Sequence, residues 1–143
     1  MQNAPMPTAS DTIIAKLNKA LALEMRAEVL YAHYAAYVKG IHRLHLKTYF
    51  EGEATESFTH AGAVRNAINR LGGEAVTERD HTPIRHTTNY EVMLQEVLAT
   101  EQLAAETYRD LLEVVTHDEE LFDMVEQIYL AELRSVEELT QLI

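Results

Sequence analysis

Hydrophobic residues recur along this chain in steps of three and four, the period of an α-helix with one buried face. Four such stretches follow one another. The first carries Ile14, Leu17, Leu21, Tyr31, Ala35 and Val38; the second Leu46, Phe50, Val64, Ala67 and Leu71. The third carries Leu94, Val97, Ala104, Tyr108, Leu111 and Val115; the fourth Leu121, Val125, Ile128, Leu139 and Leu142. Punctuation between them sets the limits. Ser10 followed by Asp11 predicts a helix start, and Gly40 a stop. The second helix is expected from about His42 to Leu71, ended by Gly72 and Gly73. The third is expected from about Asn89 to Val115. Thr116 with Glu119 reads as a capping box that opens a fourth helix reaching Ile143.

The joins predict topology. Short connections near residues 40 and 117 make helices one and two antiparallel neighbours, and likewise three and four. Residues 74–88, with Pro83 and many polar side chains, form a loop of about 15 residues. At ~3.3 Å per residue it can run the length of a ~26-residue helix rising 1.5 Å per residue. The expectation is an all-α four-helix bundle over residues 11–143, with one long crossover between helices two and three. A flexible N-terminal tail over residues 1–10 precedes it.

Each apolar stripe is broken near its middle. Glu24 and Glu28 interrupt the first, Glu53, Ser57 and His60 the second, Glu101 the third, and Glu132 and Ser135 the fourth. A lone carboxylate in an apolar core costs several kcal/mol or a large pKa shift. A single glutamate on such a face is as readily a partly wet position, and a single histidine a satisfied core residue. Four stripes broken at matching depth call for a common cause. A bound cation removes both the burial penalty and the repulsion, and carboxylates with imidazole suit iron or manganese. Glu24, His60, Glu101 and Glu132 are therefore the candidate ligands. Glu28 and Glu53 lie at similar depth, either as an accessory cation pair or as solvated residues near the bundle end.

The two halves also echo each other. Leu21-Ala22-Leu23-Glu24 with Tyr31 recurs as Leu98-Ala99-Thr100-Glu101 with Tyr108. Seven residues separate glutamate from tyrosine both times, which puts a phenol two turns from each carboxylate. Tyr31 and Tyr108 are candidates for electron donation, or core aromatics with a bonded hydroxyl.

Composition narrows the chemistry. With no cysteine among 143 residues, any metal must use oxygen and nitrogen ligands. The net charge of −11 disfavours nucleic acid as a partner and favours cations. No run approaches the ~18 apolar residues of a membrane span, and the N-terminus lacks the basic start of a signal peptide. A cytoplasmic location without membrane association is expected.

These residues resemble the bacterioferritin branch of the ferritin-like proteins, from about Ile14 to Ile143. In that family two helices each give one glutamate and two each give a Glu-x-x-His pair, together holding two irons. Glu24 and Glu101 match the single glutamates, His60 followed by Ala61 the first motif's histidine, and Glu132 the second motif's glutamate. The Leu71-Gly72-Gly73 ending is similar too. The first motif reads Ser57-Phe58-Thr59-His60, with serine in place of glutamate. The second reads Glu132-Leu133-Arg134-Ser135, with serine in place of histidine.

The resemblance implies an iron- or manganese-binding protein, with Fe(II) oxidation or iron storage as its activity. Ser57 and Ser135 open two other readings: a non-enzymatic bundle acting in assembly or sequestration, and a di-iron or di-manganese oxidase. Phe58 stands where haem-binding members carry methionine, so no haem is expected. The short fifth helix of bacterioferritins has no counterpart, so a homodimer or small homo-oligomer is expected rather than a 24-subunit shell.

Overall fold

The computed structural model describes Met6 and residues 8–143. Of the tail expected over residues 1–10, residues 1–5 and 7 lie outside the described residues, and Ala9 and Ser10 already belong to the first helix. Among the described residues there are four helices and no strand: α1 (Ala9–Tyr37), α2 (Arg43–Arg70), α3 (Tyr90–Val114) and α4 (Glu119–Leu142).

Two caps differ from expectation. Thr8, not Ser10, caps α1, in a capping box with Asp11: Thr8 Oγ1 accepts from the Asp11 amide at 3.0 Å, and Asp11 Oδ2 from the Thr8 amide at 3.1 Å. Asp118, not Thr116, caps α4, accepting from the Leu121 amide at 3.0 Å. At the end of α2, Gly72 takes φ 81°, which a side chain would strain. The Gly73 amide then reaches back to Ile68 O at 2.9 Å, closing the helix.

α1 packs along α2 and α3, and α3 along α4, while α2 and α4 meet over a smaller contact. The long crossover runs up α1 and is pinned to it at successive levels. Asn18 bonds Glu74 O and the Val76 amide, Arg26 donates to Thr82 O, and Tyr34 donates to Arg85 O. The Lys39 amide donates to Thr88 O at the top. These bonds satisfy loop backbone that would otherwise depend on solvent.

The core is divided in two. One apolar cluster gathers Leu17, Leu21, Val64, Ile68, Leu111 and Val125, and the other Leu30, Tyr31, Phe50, Met93, Val97 and Leu139. Each fully buried Leu, Ile or Phe contributes about 1.5–3 kcal/mol. Among the buried polar residues, Glu24, Ser57, Glu101, Glu132 and Ser135 stand where the four apolar stripes are broken.

Candidate metal centre

Burying carboxylates is costly, so their arrangement needs a reason. Glu24 on α1, His60 on α2 and Glu132 on α4 present one ligand atom each, and these atoms lie within 4.8 Å of one another. His60 Nδ1 is 3.3 Å from Glu132 Oε1 and 3.6 Å from Glu24 Oε2. The other ring nitrogen, Nε2, is 3.6 Å from Glu56 Oε1, one turn back on α2. The Nδ1 edge of the imidazole thus meets two buried carboxylates and the Nε2 edge a half-exposed one. A cleft of about 510 Å³ between α2 and α4, lined by Glu56, Thr59, His60, Met124 and Arg134, opens beside it.

Glu101 joins the group through Glu132. Burial first, and then the neighbouring Glu132, hold its carboxyl well above the usual range. Glu132 is itself pushed up to about 7, chiefly by burial, against the downward pull of Glu101 and His60 beside it. Burial alone would lower His60, but the Glu132 and Glu24 carboxylates beside Nδ1 outweigh it and raise the ring to about 10.

Tyr108, fully buried on α3, donates to Glu24 Oε1 at 3.2 Å. Tyr31 is equally buried, but its hydroxyl has no partner. Glu53, which the helix pattern pairs with Glu28, instead accepts from Ser135 Oγ at 3.3 Å. Burial and the neighbouring Glu56 push Glu53 up to about 7. Sequence spacing missed this, because a glutamate carboxylate reaches about one helical turn beyond its own Cα. Phe58 points outward and is 63% exposed.

A divalent cation fits this centre. The donors are hard oxygens and one imidazole. Glu24 Oε2, His60 Nδ1 and Glu132 Oε2 are all buried without a hydrogen-bond partner, and a shared cation would satisfy all three.

The sequence matches the family described as Ferritin-like domain over residues 14–143. The chain belongs to that family. Among solved structures, this ferritin-like chain is similar to a ferritin like, diiron-carboxylate protein from Bacillus anthracis str. Ames, with 29% identity, TM-score 0.90, and coverage of 96% of this chain and 99% of that one. It also shares its fold with a dodecameric thioferritin, the bacterioferritin-related protein from Bacteroides fragilis (22% identity, TM-score 0.84, 92% and 84% covered). A Dps protein from Bacillus brevis has the same fold at 18% identity and TM-score 0.87, with 96% and 99% covered. A search of curated proteins finds no match. No helix among the described residues is long and apolar enough to cross a membrane.

Proposed function

We propose that this ferritin-like protein binds iron(II), or manganese(II) in its place, inside the bundle, through Glu24, His60 and Glu132 with Glu101 beside them. The observation that carries this reading is the convergence of three buried ligand atoms within 4.8 Å from three different helices. The diiron-carboxylate description of the 29%-identical Bacillus anthracis protein supports iron as the metal. The bacterioferritin-like subtype rests on the residues matched to that family's ligand pattern.

The residues divide the work. Glu24 and Glu132 supply negative charge, and Glu101, whose carboxyl burial holds well above its usual range, gives up its proton when a cation arrives. His60 gives Nδ1 to the ion, while Glu56 orients the ring through Nε2, as carboxylates often do for ligating histidines. The α2–α4 cleft gives ions a path to His60. Bound there, iron(II) is the substrate, supplying an electron to dioxygen or peroxide. Tyr31 and Tyr108 are the candidate electron relays, although the bond to Glu24 gives Tyr108 a positioning role first. Buried Ser57 and Ser135 at the two motif positions favour slow turnover, and so sequestration over fast oxidation. The dodecameric relative supports assembly with copies of itself.

Titration of the metal-free protein with Fe(II) under anaerobic conditions tests the reading. His60→Ala and Glu101→Ala should each weaken binding at least tenfold, or about 1.4 kcal/mol. Unchanged affinity in both variants would place the ligands elsewhere.

A further inference from the structure

The cleft between α2 and α4 opens where small residues line the two helices, Ala63 on α2 and Ala131 on α4. Glu56, Thr59 and His60 stand on the α2 wall, and Gln127 and Arg134 on the α4 wall. Gln127, Ala131 and Arg134 follow one another in steps of four and three, so they share one face of α4. Helical side chains lean towards the N-terminus of their helix, which carries Arg134 over Ala131 and towards Gln127.

Arg134 has no counter-charge. It takes part in none of the ion pairs among the described residues, although the chain has 23 acidic side chains against 12 basic ones. The one carboxylate lining the cleft is Glu56, and it lies 3.6 Å from His60 Nε2. Thr59 spends its hydroxyl proton on Thr55 O at 3.1 Å. Gln127 is exposed, and its amide offers two N–H donors. The donors left open in the cleft are therefore the Arg134 guanidinium and the Gln127 amide. The cavity, about 510 Å³, has room for a small oxyanion with several waters of about 30 Å³ each.

We propose that this cleft is an oxyanion site, in which Arg134 and Gln127 hold a phosphate-class anion beside the metal centre. The planar guanidinium presents two parallel N–H donors to two oxygens of one tetrahedral anion, and it stays charged at every physiological pH. Glu56 opposes the anion, and its place beside His60 Nε2 weakens that opposition. The site itself stands on the cleft; its link to the metal rests on the reading of His60 as a ligand. A divalent ion on His60 Nδ1 adds positive charge behind the inner wall, so phosphate and metal should each strengthen the other's binding.

Inorganic phosphate is the probe, titrated into the metal-free full chain by calorimetry. It is done at ~0.15 M chloride, where surface attraction is screened beyond about 8 Å. The natural protein should bind one phosphate per chain. Arg134→Gln, at an exposed position, should weaken binding about tenfold or more, the loss of a charge-assisted pair of bonds. Arg109→Gln removes the same charge from the groove between α3 and α4 and should leave the affinity within about twofold, because that charge acts only through screened solvent. With Mn(II) loaded and the excess removed, phosphate affinity of the natural protein should rise about fivefold or more.

No phosphate binding by the natural protein, or equal affinity in Arg134→Gln, would overturn the oxyanion site and leave the proposed function standing. Equal weakening by Arg109→Gln would reduce the effect to diffuse attraction and overturn the site as well. Phosphate affinity indifferent to bound Mn(II) would overturn the link to the metal centre. Phosphate binding in a protein that takes up no Mn(II) would overturn the proposed function and keep the site.

Discussion

Tyr108 on α3 donates its hydroxyl proton to Glu24 Oε1 on α1 at 3.2 Å, across the interior of the bundle. Burial, then the Glu24 charge, hold this phenol well above its ordinary pKa, so it remains a donor at every physiological pH. The bond occupies one carboxylate oxygen and leaves Oε2 turned to His60. Tyr108→Phe should therefore cost the metal-free protein about 1–3 kcal/mol in urea unfolding, the penalty of a buried acceptor without its donor. Metal affinity should fall several-fold as Glu24 loses its orientation. A variant with unchanged affinity would leave Tyr108 only its candidate role as an electron relay.

Tyr31 makes the opposite case. Its hydroxyl is buried and unbonded, so in the metal-free protein it is a cost without a return. Tyr31→Phe should raise the stability of the metal-free form by about 1 kcal/mol, measured as a higher urea midpoint. Loading with Mn(II) should stabilise this variant less than it does the natural protein. A lower midpoint in the metal-free variant would mean that the hydroxyl finds a partner in solution.

The buried titratable groups give stability a pH dependence of one sign. His60 rises from an ordinary 6.5 to about 10 on folding, so its contribution is complete below about 6.5 and disappears as pH rises through about 10. Glu53 and Glu132 rise from 4.5 to about 7, so their protonated forms support folding below about 4.5 and that support is lost as pH climbs through about 7. The metal-free protein should therefore become easier to unfold from pH 5 to pH 9. Metal binding releases these protons, so affinity should rise over the same interval. Urea midpoints at pH 5, 7 and 9, with chelator and with Mn(II), would show the two trends. His60→Gln should remove the upper part of the metal-free trend.

Much of this centre can be read from helical periodicity. Glu24, Glu101 and Glu132 stand on apolar stripes, and a position on a stripe fixes depth along the bundle and direction towards the core. The stripe of α2 likewise carries His60, whose ring lies beside Glu24 and Glu132. Periodicity locates a Cα, however, and not the end of a long side chain. Glu53 pairs with Glu28 in the helix pattern, and its partnership with Ser135 depends on how α2 and α4 lie against each other. The caps failed for a related reason. Thr8, Ser10 and Asp11 stand close together, and the one that caps is set by where the chain is extended, as at Thr8 with ψ 168°. Likewise Asp118, extended at ψ 101°, takes the role expected of Thr116.

The two buried serines lead to the last prediction. Rapid oxidation of iron(II) needs two ions close enough to pass electrons to one oxidant, and the family pattern secures this with a carboxylate on α2 and an imidazole on α4. Ser57 and Ser135 supply neither. Both are nearly excluded from solvent, so larger side chains there would point at the centre rather than away from it. Ser57→Glu combined with Ser135→His should raise the rate of Fe(II) oxidation at least tenfold, about 1.4 kcal/mol of barrier. The new imidazole would displace Glu53 from its bond with position 135, and the new carboxylate would take over on α2. Adding a buried charge should lower the stability of the metal-free double variant, and bound metal should restore it. Stopped-flow oxidation of both proteins, with urea unfolding of each in chelator, gives the two readouts. A natural protein that already oxidises two ions per chain in a fast phase would show that Glu53 suffices, and that the serines are no handicap to turnover.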